Sequence, residues 1–267
     1  MKRLATAMVV VVAVAAGAAS TAQQPRVADL RAFVSCPIVR DTPTVPCFLA
    51  EYEGETYYLV VQQDISADQY PPQLLHEVLV EGTIDKGPRV CGGIPLKPVK
   101  LSVLPELNAA CNTILPAEPG IEAPPTRRPA GPSTRQPGAA PAAPPAPPTR
   151  PAPPFVEREW KVLYDFDSAF LFSRDTRTVS QAAEYAVASK AKRIEIEAHR
   201  GATLLSNGKV LVEGETIAAQ RAERVVTLLK GLGADPASVN VRVVSTPPRP
   251  DGNTDPQTRF VSIRVSP

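Results

Sequence analysis

Polar side chains cluster where a predicted strand ends and a predicted helix begins. Residues 193–198 alternate polar and apolar side chains, which predicts a strand with one buried face, and His-Arg-Gly follows at 199–201. Apolar residues recur at three- and four-residue spacing over 217–229, which predicts an amphipathic helix. Arg221 lies outside the centre of its apolar face, so its guanidinium can reach toward the strand end. A helix amino terminus there also favours a bound carboxylate.

The same segment gives little indication of a catalytic site. His199 could act as a base and Ser206 as a nucleophile, but the sequence places no third group to orient them. We therefore predict no catalytic residue and no enzyme activity. No motif indicates a cofactor or a metal site, and the cysteines lack the Cys-x-x-Cys spacing of zinc ligands.

Four short motifs, in this order, resemble the OmpA-like domain, the peptidoglycan-associating module of bacterial envelope proteins. Residues 164–169 look like its first strand. Residues 198–201 are similar to its Gly-His-Thr-Asp strand end, and 217–222 to its Leu-Ser-x-x-Arg-Ala helix start. Residues 258–263 are similar to its closing Asn-Arg-Arg-Val-Glu-Ile strand. The resemblance covers roughly the last 110 residues, and we predict a β-α-β-α-β-β sandwich with both helices on one face.

The resemblance implies a ligand site for the peptidoglycan stem peptide. In the family, the Asp holds the ammonium group of diaminopimelate and the Arg holds its carboxylate, so each charge has a partner. Arg221 matches the family's Arg, and His199 its His. Arg200 replaces the Thr and Gly201 replaces the Asp. With Arg259 of the closing strand, these residues form the expected site.

The replacement at Gly201 removes half of the family's binding pair. The loop between the strand and the helix is about five residues longer than is usual in the family. Glu213 or Glu215 on this loop could supply the missing carboxylate. We therefore expect weak binding.

The start of the chain indicates export. Residues 1–22 combine Lys2 and Arg3, an apolar run and a small-residue cleavage site, as in a secretory signal peptide. The run is shorter than the ~20 residues that span a bilayer, and we predict no transmembrane span in the mature chain. We expect a periplasmic, cell-envelope location. The formal net charge of +2 falls to about zero without the signal peptide, which gives no indication of nucleic-acid binding.

A disulfide-bonded domain is predicted over residues 23–116. It holds all four cysteines, and an even count in an exported domain indicates two disulfides. Three pairings are open, and Cys36–Cys47 with Cys91–Cys111 is preferred because each closes a short loop. Strand patterns predict an all-β domain, either a small OB-like barrel or a small sandwich. The predicted strands are 47–52, 56–62, 78–84, 89–91 and 96–104.

Residues 117–154 predict a disordered linker rich in Pro and Ala, which separates this domain from the OmpA-like domain at 155–267. The leading hypothesis is an exported protein that associates weakly with peptidoglycan and binds an envelope protein through its amino-terminal domain. The alternative is a degenerate OmpA-like domain that serves as a structural or protein-interaction module. A hydrolase or inhibitor activity in the disulfide-bonded domain is the third hypothesis, and no motif supports it.

Overall fold

The computed structural model describes residues 29–61, 71–125 and 151–267. The predicted signal peptide at 1–22 and residues 126–150 of the predicted linker lie outside the described residues. Among the helices of the described ranges, none has the length and apolar character needed to cross a membrane.

Seven strands between residues 30 and 115 form one sheet in the order β1-β5-β6-β4-β3-β2-β7, and we call this part of the described chain the amino-terminal domain. Most neighbours are antiparallel, but β2 with β7 and β4 with β6 are parallel. The OB-like barrel is not confirmed, and 89–91 forms a turn with an isolated Val90–Gly93 bridge instead of a strand. The strands are β1 Leu30–Ser35, β2 Pro37–Arg40, β3 Cys47–Tyr52, β4 Glu55–Val61, β5 His76–Ile84, β6 Ile94–Leu107 and β7 Thr113–Leu115.

Two disulfides close this domain, and they are not the local pairs that the sequence favoured. Cys36 bonds Cys111 and Cys47 bonds Cys91, with Cα–Cα distances of 4.8 and 6.4 Å. The preference for short loops was wrong because sheet pairing brings together segments that are distant in sequence. The parallel pairing of β7 with β2 carries Cys111 to Cys36.

Four strands between residues 158 and 266 form a second sheet in the order β12-β9-β13-β8, and we call this part of the chain the carboxyl-terminal domain. Strand β12 runs parallel to β9, and β13 runs antiparallel to both β9 and β8. A short antiparallel hairpin, β10–β11, interrupts the predicted β-α-β-α-β-β order between β9 and the second helix. The elements are β8 Arg158–Leu163, α1 Ser173–Ser189, β9 Arg193–His199, β10 Ala202–Leu204, β11 Val210–Val212, α2 Ile217–Gly231, β12 Val239–Val244 and β13 Phe260–Ser266.

The core of this domain follows from the periods in the sequence. Alternate residues of β9, Ile194, Ile196 and Ala198, are buried, as expected for a strand covered on one face. The apolar residues of α1 and α2 pack against them, including Ala182 and Val225. This packing sets the amino-terminal turns of α2 beside the end of β9, where the candidate site lies.

Candidate functional site

Helix α2 carries Arg221 into the interior, where its side chain is 0% exposed. Its Nε donates to the Ser168 carbonyl at 2.9 Å, and Nη1 donates to the His199 carbonyl at 3.1 Å. Nη2 donates to the Asp165 carbonyl at 3.0 Å. The guanidinium therefore joins the end of β9 to the loop that follows β8.

Glu213 of the lengthened loop fills the remaining side of this guanidinium. Its Oε2 accepts from Arg221 Nη1 at 2.9 Å and its Oε1 accepts from Nη2 at 2.5 Å. The main-chain N–H groups of Gly201 and Asp167 also donate to this carboxylate, at 2.6 and 2.9 Å. We call these three donors, the Arg221 guanidinium and the N–H groups of Asp167 and Gly201, the carboxylate cradle. All five N–H groups of a guanidinium are thereby used within the chain.

The loop that carries Glu213 is fastened at both sides of this residue. Glu213 N–H donates to the Gly201 carbonyl at 3.2 Å, and Arg200 Nε donates to the Glu213 carbonyl at 2.5 Å. Gly214 N–H donates to the Asp167 carboxylate at 2.7 Å. Arg200 therefore positions the loop, whereas Glu215 is exposed on it. Of the two glutamates proposed as substitute carboxylates, the structure brings Glu213 to the site, and it pairs with Arg221.

Gly201 lies in a space that admits no side chain. A Cβ atom added there would clash with Arg259 Cγ and would lie 3.0 Å from Thr258 Oγ1. Arg259 is fully buried, so it cannot swing aside into solvent. The family's Asp is therefore sterically incompatible with the position that Arg259 takes in this chain.

Arg259 itself pairs across the two domains. Its Nη2 donates to Glu81 Oε2 of β5 at 2.5 Å, and its Nη1 donates to Thr203 Oγ1 at 3.1 Å. The Thr203 hydroxyl donates in turn to Glu81 Oε1 at 3.1 Å. Within the described ranges, Arg259 Nε is buried without a hydrogen-bond partner. This arginine thus binds the amino-terminal domain and does not join the cradle.

The side chain of His199 points to the outer face of the sheet. Its ring stacks on Phe260 with centroids 4.2 Å apart, and its Nε2 lies 2.8 Å from Glu197 Oε1. Ser206 makes its contact elsewhere, because its Oγ accepts from the Ala32 N–H at 3.0 Å. His199 contributes its carbonyl to the site, and its ring is engaged by Glu197 and Phe260.

Burial shapes the electrostatics beside the cradle. It raises the pKa of Asp165, an effect that the nearby Lys100 ammonium partly offsets. It lowers the pKa of Lys100, whose Nζ lies 3.3 Å from Asp165 Oδ1. Burial also raises the pKa of Tyr164, whose ring lies 4.9 Å from Arg221 Cζ. No three His, Cys, Asp or Glu side chains among the described residues are grouped to hold a metal ion.

The segment 165–168 supplies site contacts that the sequence analysis did not assign. Asp165 and Ser168 provide carbonyls to Arg221, and Asp167 provides a cradle N–H. The motif was recognised as part of the first strand. Its contacts could not be predicted, because main-chain carbonyl and N–H groups do not depend on residue type. The two carboxylates of Asp165 and Asp167 were the available signal.

Solved OmpA-like domains, the family that the sequence motifs resemble, are among the structures similar to this chain. The OmpA-like domain of FopA1 from Francisella tularensis subsp. tularensis SCHU S4 is 14% identical, covers 41% of this chain and 72% of its own, and has a TM-score of 0.33. The peptidoglycan-associated lipoprotein from Burkholderia pseudomallei is 20% identical, and the match covers 40% of this chain and 90% of the lipoprotein, with a TM-score of 0.34. The periplasmic domain of Helicobacter pylori MotB is 19% identical, and the match covers 40% of this chain and 74% of the MotB domain, with a TM-score of 0.31.

No protein-family model and no curated protein matches the sequence. These three solved structures have identities of at most 20% and TM-scores near 0.3, so they assign no role to any residue of this chain. The role of each side chain rests on the geometry of the cradle and of the Arg259 pair.

Proposed function

We propose that this chain is an exported cell-envelope protein whose OmpA-like domain associates non-covalently and weakly with peptidoglycan. The observation that carries the proposal is the carboxylate cradle, where one buried guanidinium and two main-chain N–H groups converge on a single carboxylate. A two-pronged guanidinium with added N–H donors is a strong and specific carboxylate site. The stem peptide, the ligand that the sequence motifs imply, presents a carboxylate of this kind.

Two features make the proposed binding weak. Glu213 is an internal competitor for the cradle, and a tethered group acts at an effective concentration on the order of millimolar or above. A stem-peptide carboxylate has to displace it. The ammonium group of the ligand also lacks the family's Asp, because Gly201 stands there and Arg259 occupies the space beside it.

A second candidate function is a structural module that joins the amino-terminal domain and binds no peptidoglycan. It is favoured by the pairing of both arginines within the chain, Arg221 with Glu213 and Arg259 with Glu81, each pair being almost wholly buried. Neither candidate is an enzyme. Both place the protein in the periplasm, with an envelope protein as a further partner of the amino-terminal domain.

Co-sedimentation of the mature chain, residues 23–267, with purified sacculi separates the two candidates. We expect partial binding by the wild type and none by Arg221→Ala. Arg224→Ala removes the same charge from an exposed position of α2 and should bind as the wild type does. Circular dichroism checks that each variant is folded, and Arg221→Lys, which keeps the charge without the planar fork, provides a milder second variant. A folded wild type that stays in the supernatant overturns the peptidoglycan proposal and supports the structural module.

A further inference from the structure

Two hydrogen bonds, one between main-chain groups and one to a side-chain hydroxyl, join the two domains at the edge of the amino-terminal sheet. Strand β1 is an end strand of that sheet, so one side of it is open to a new partner. Ser206, at the tip of the β10–β11 hairpin, takes this place. Its N–H donates to the Ala32 carbonyl at 2.6 Å, and its Oγ accepts from the Ala32 N–H at 3.0 Å. The hairpin is therefore docked on the sheet edge.

Apolar contacts reinforce this docking. Ala32, Leu79 and Leu104 of the amino-terminal domain form one buried cluster with Phe166 and Leu205 of the OmpA-like domain. Each of these five side chains is at most 9% exposed. Burial of this extent is typical of a specific interface, because non-specific contacts are poorly packed and leave such side chains exposed to water.

Charged and polar groups at the interface are matched as well. Glu81 is paired with Arg259 and Thr203, and Lys100 lies 3.3 Å from Asp165. Ser102 Oγ accepts from the Phe166 N–H at 2.8 Å. The amino-terminal domain thus provides charged partners for Arg259 and Asp165 of the OmpA-like domain.

These contacts fall on the segments that build the cradle. Phe166 and Asp165 directly precede Asp167, whose N–H belongs to the cradle. Arg259 packs against Gly201, whose N–H is the second main-chain donor of the cradle. The docked hairpin runs directly into Glu213, the residue that fills the cradle. Docking therefore fixes Glu213 and the cradle donors in one arrangement.

We propose that the amino-terminal domain holds the carboxylate cradle closed, so that separation of the two domains frees the hairpin and withdraws Glu213. This inference rests on the proposed function, because the freed cradle is the site that would take the stem-peptide carboxylate. Linkage is reciprocal: a carboxylate ligand that enters the cradle weakens the docking, and a partner that covers the docking face of the amino-terminal domain strengthens ligand binding.

The test uses the mature chain, with Glu81→Arg, Lys100→Glu and Glu213→Gln as variants. Glu81→Arg places a second positive charge beside Arg259. Lys100→Glu places a second negative charge beside Asp165, and the Lys100 side chain is 27% exposed. Glu51→Arg, an equal charge reversal at an exposed position of β3, is the matched control. The probe is a soluble muropeptide that ends in diaminopimelate, titrated by calorimetry. Hydrogen exchange of the Ala32 and Ser206 amides reports undocking.

We expect faster exchange at both amides and a muropeptide affinity about 5- to 150-fold higher, the usual range of coupling between two sites, for both interface variants. Glu51→Arg should change neither. Faster exchange without a gain in affinity, while Glu213→Gln binds the muropeptide more tightly than the wild type, would overturn the coupling and leave the proposed function standing. Failure of every folded variant to bind, Glu213→Gln included, would overturn the proposed function and the coupling with it.

Discussion

Glu213 and Arg221, eight residues apart in sequence, face each other as a two-pronged ion pair in which both side chains are 0% exposed. The pair is not isolated, because two main-chain N–H groups complete the coordination of the carboxylate and three carbonyls complete that of the guanidinium. Under the proposed function, Glu213 occupies the place of a ligand carboxylate as part of the same chain.

Breaking this pair should destabilise the protein strongly. Arg221→Met leaves Glu213 buried without its cation, and removal of one partner of a buried pair costs about 3–5 kcal/mol. The double variant Arg221→Met with Glu213→Leu should cost clearly less than the sum of the two single variants, because no charge is left uncompensated. Urea denaturation of the four proteins measures this coupling. Costs that simply add would contradict the description of the two residues as one unit.

A side chain at position 201 should lower the stability of the protein. Gly201→Ala places a Cβ against Arg259 Cγ, and overpacking of this kind costs about 1–3 kcal/mol. Gly231→Ala, at a helical glycine with open space around it, should be neutral or slightly stabilising. Thermal denaturation compares the two. We also expect Gly201→Asp to destabilise the domain without improving peptidoglycan binding, and tighter binding by a folded Gly201→Asp would contradict the steric account.

The pH dependence of stability should carry a contribution from Asp165. Because burial raises its pKa above the ordinary value of 3.8, the folded chain binds this proton more tightly than the unfolded chain does. The free energy of unfolding therefore falls as pH rises from 3.8 through the raised pKa, and it levels off above. Asp165→Asn should remove this fall. Denaturation at a series of pH values, with wild type and variant side by side, measures it, and identical profiles would contradict the prediction.

Peptide mapping without reduction should find Cys36 joined to Cys111 and Cys47 joined to Cys91. Replacing Cys36 and Cys111 together by Ser should cost about 2–5 kcal/mol, as is typical for a native disulfide of a small exported domain. Mass spectrometry of the fragments decides the pairing. A Cys36–Cys47 fragment would contradict the parallel pairing of β7 with β2.

Local patterns predicted the main strands and helices of the carboxyl-terminal domain. The alternation in β9 and the spacing in α2 set the strand, the helix and their buried faces, because each residue's environment repeats with the period of the element. The predicted order of strands and helices came from such local patterns together with the four motifs. The β10–β11 hairpin was predicted as a loop, since its strands have three residues each and so show no clear alternation.

The partners of the charged residues could not be predicted in the same way. Arg259 pairs with Glu81, which lies 178 residues away, and nothing in either local segment shows the other. Glu213 was singled out for its charge and its place on the long loop, yet the direction of its carboxylate depends on the N–H groups of Asp167 and Gly201. The pairing of the four cysteines was predicted wrongly for the same reason, because sheet order decides which cysteines meet.

We propose that Glu213 fills a cradle that a stem-peptide carboxylate would otherwise use. Calorimetric titration of a diaminopimelate-ended muropeptide into the mature wild type, Glu213→Gln and Glu215→Gln tests it most directly. The two variants lose the same charge two residues apart, but Glu215 is exposed and outside the cradle. We predict clearly tighter binding by Glu213→Gln and wild-type affinity for Glu215→Gln. A folded Glu213→Gln that binds no better than the wild type would contradict the claim.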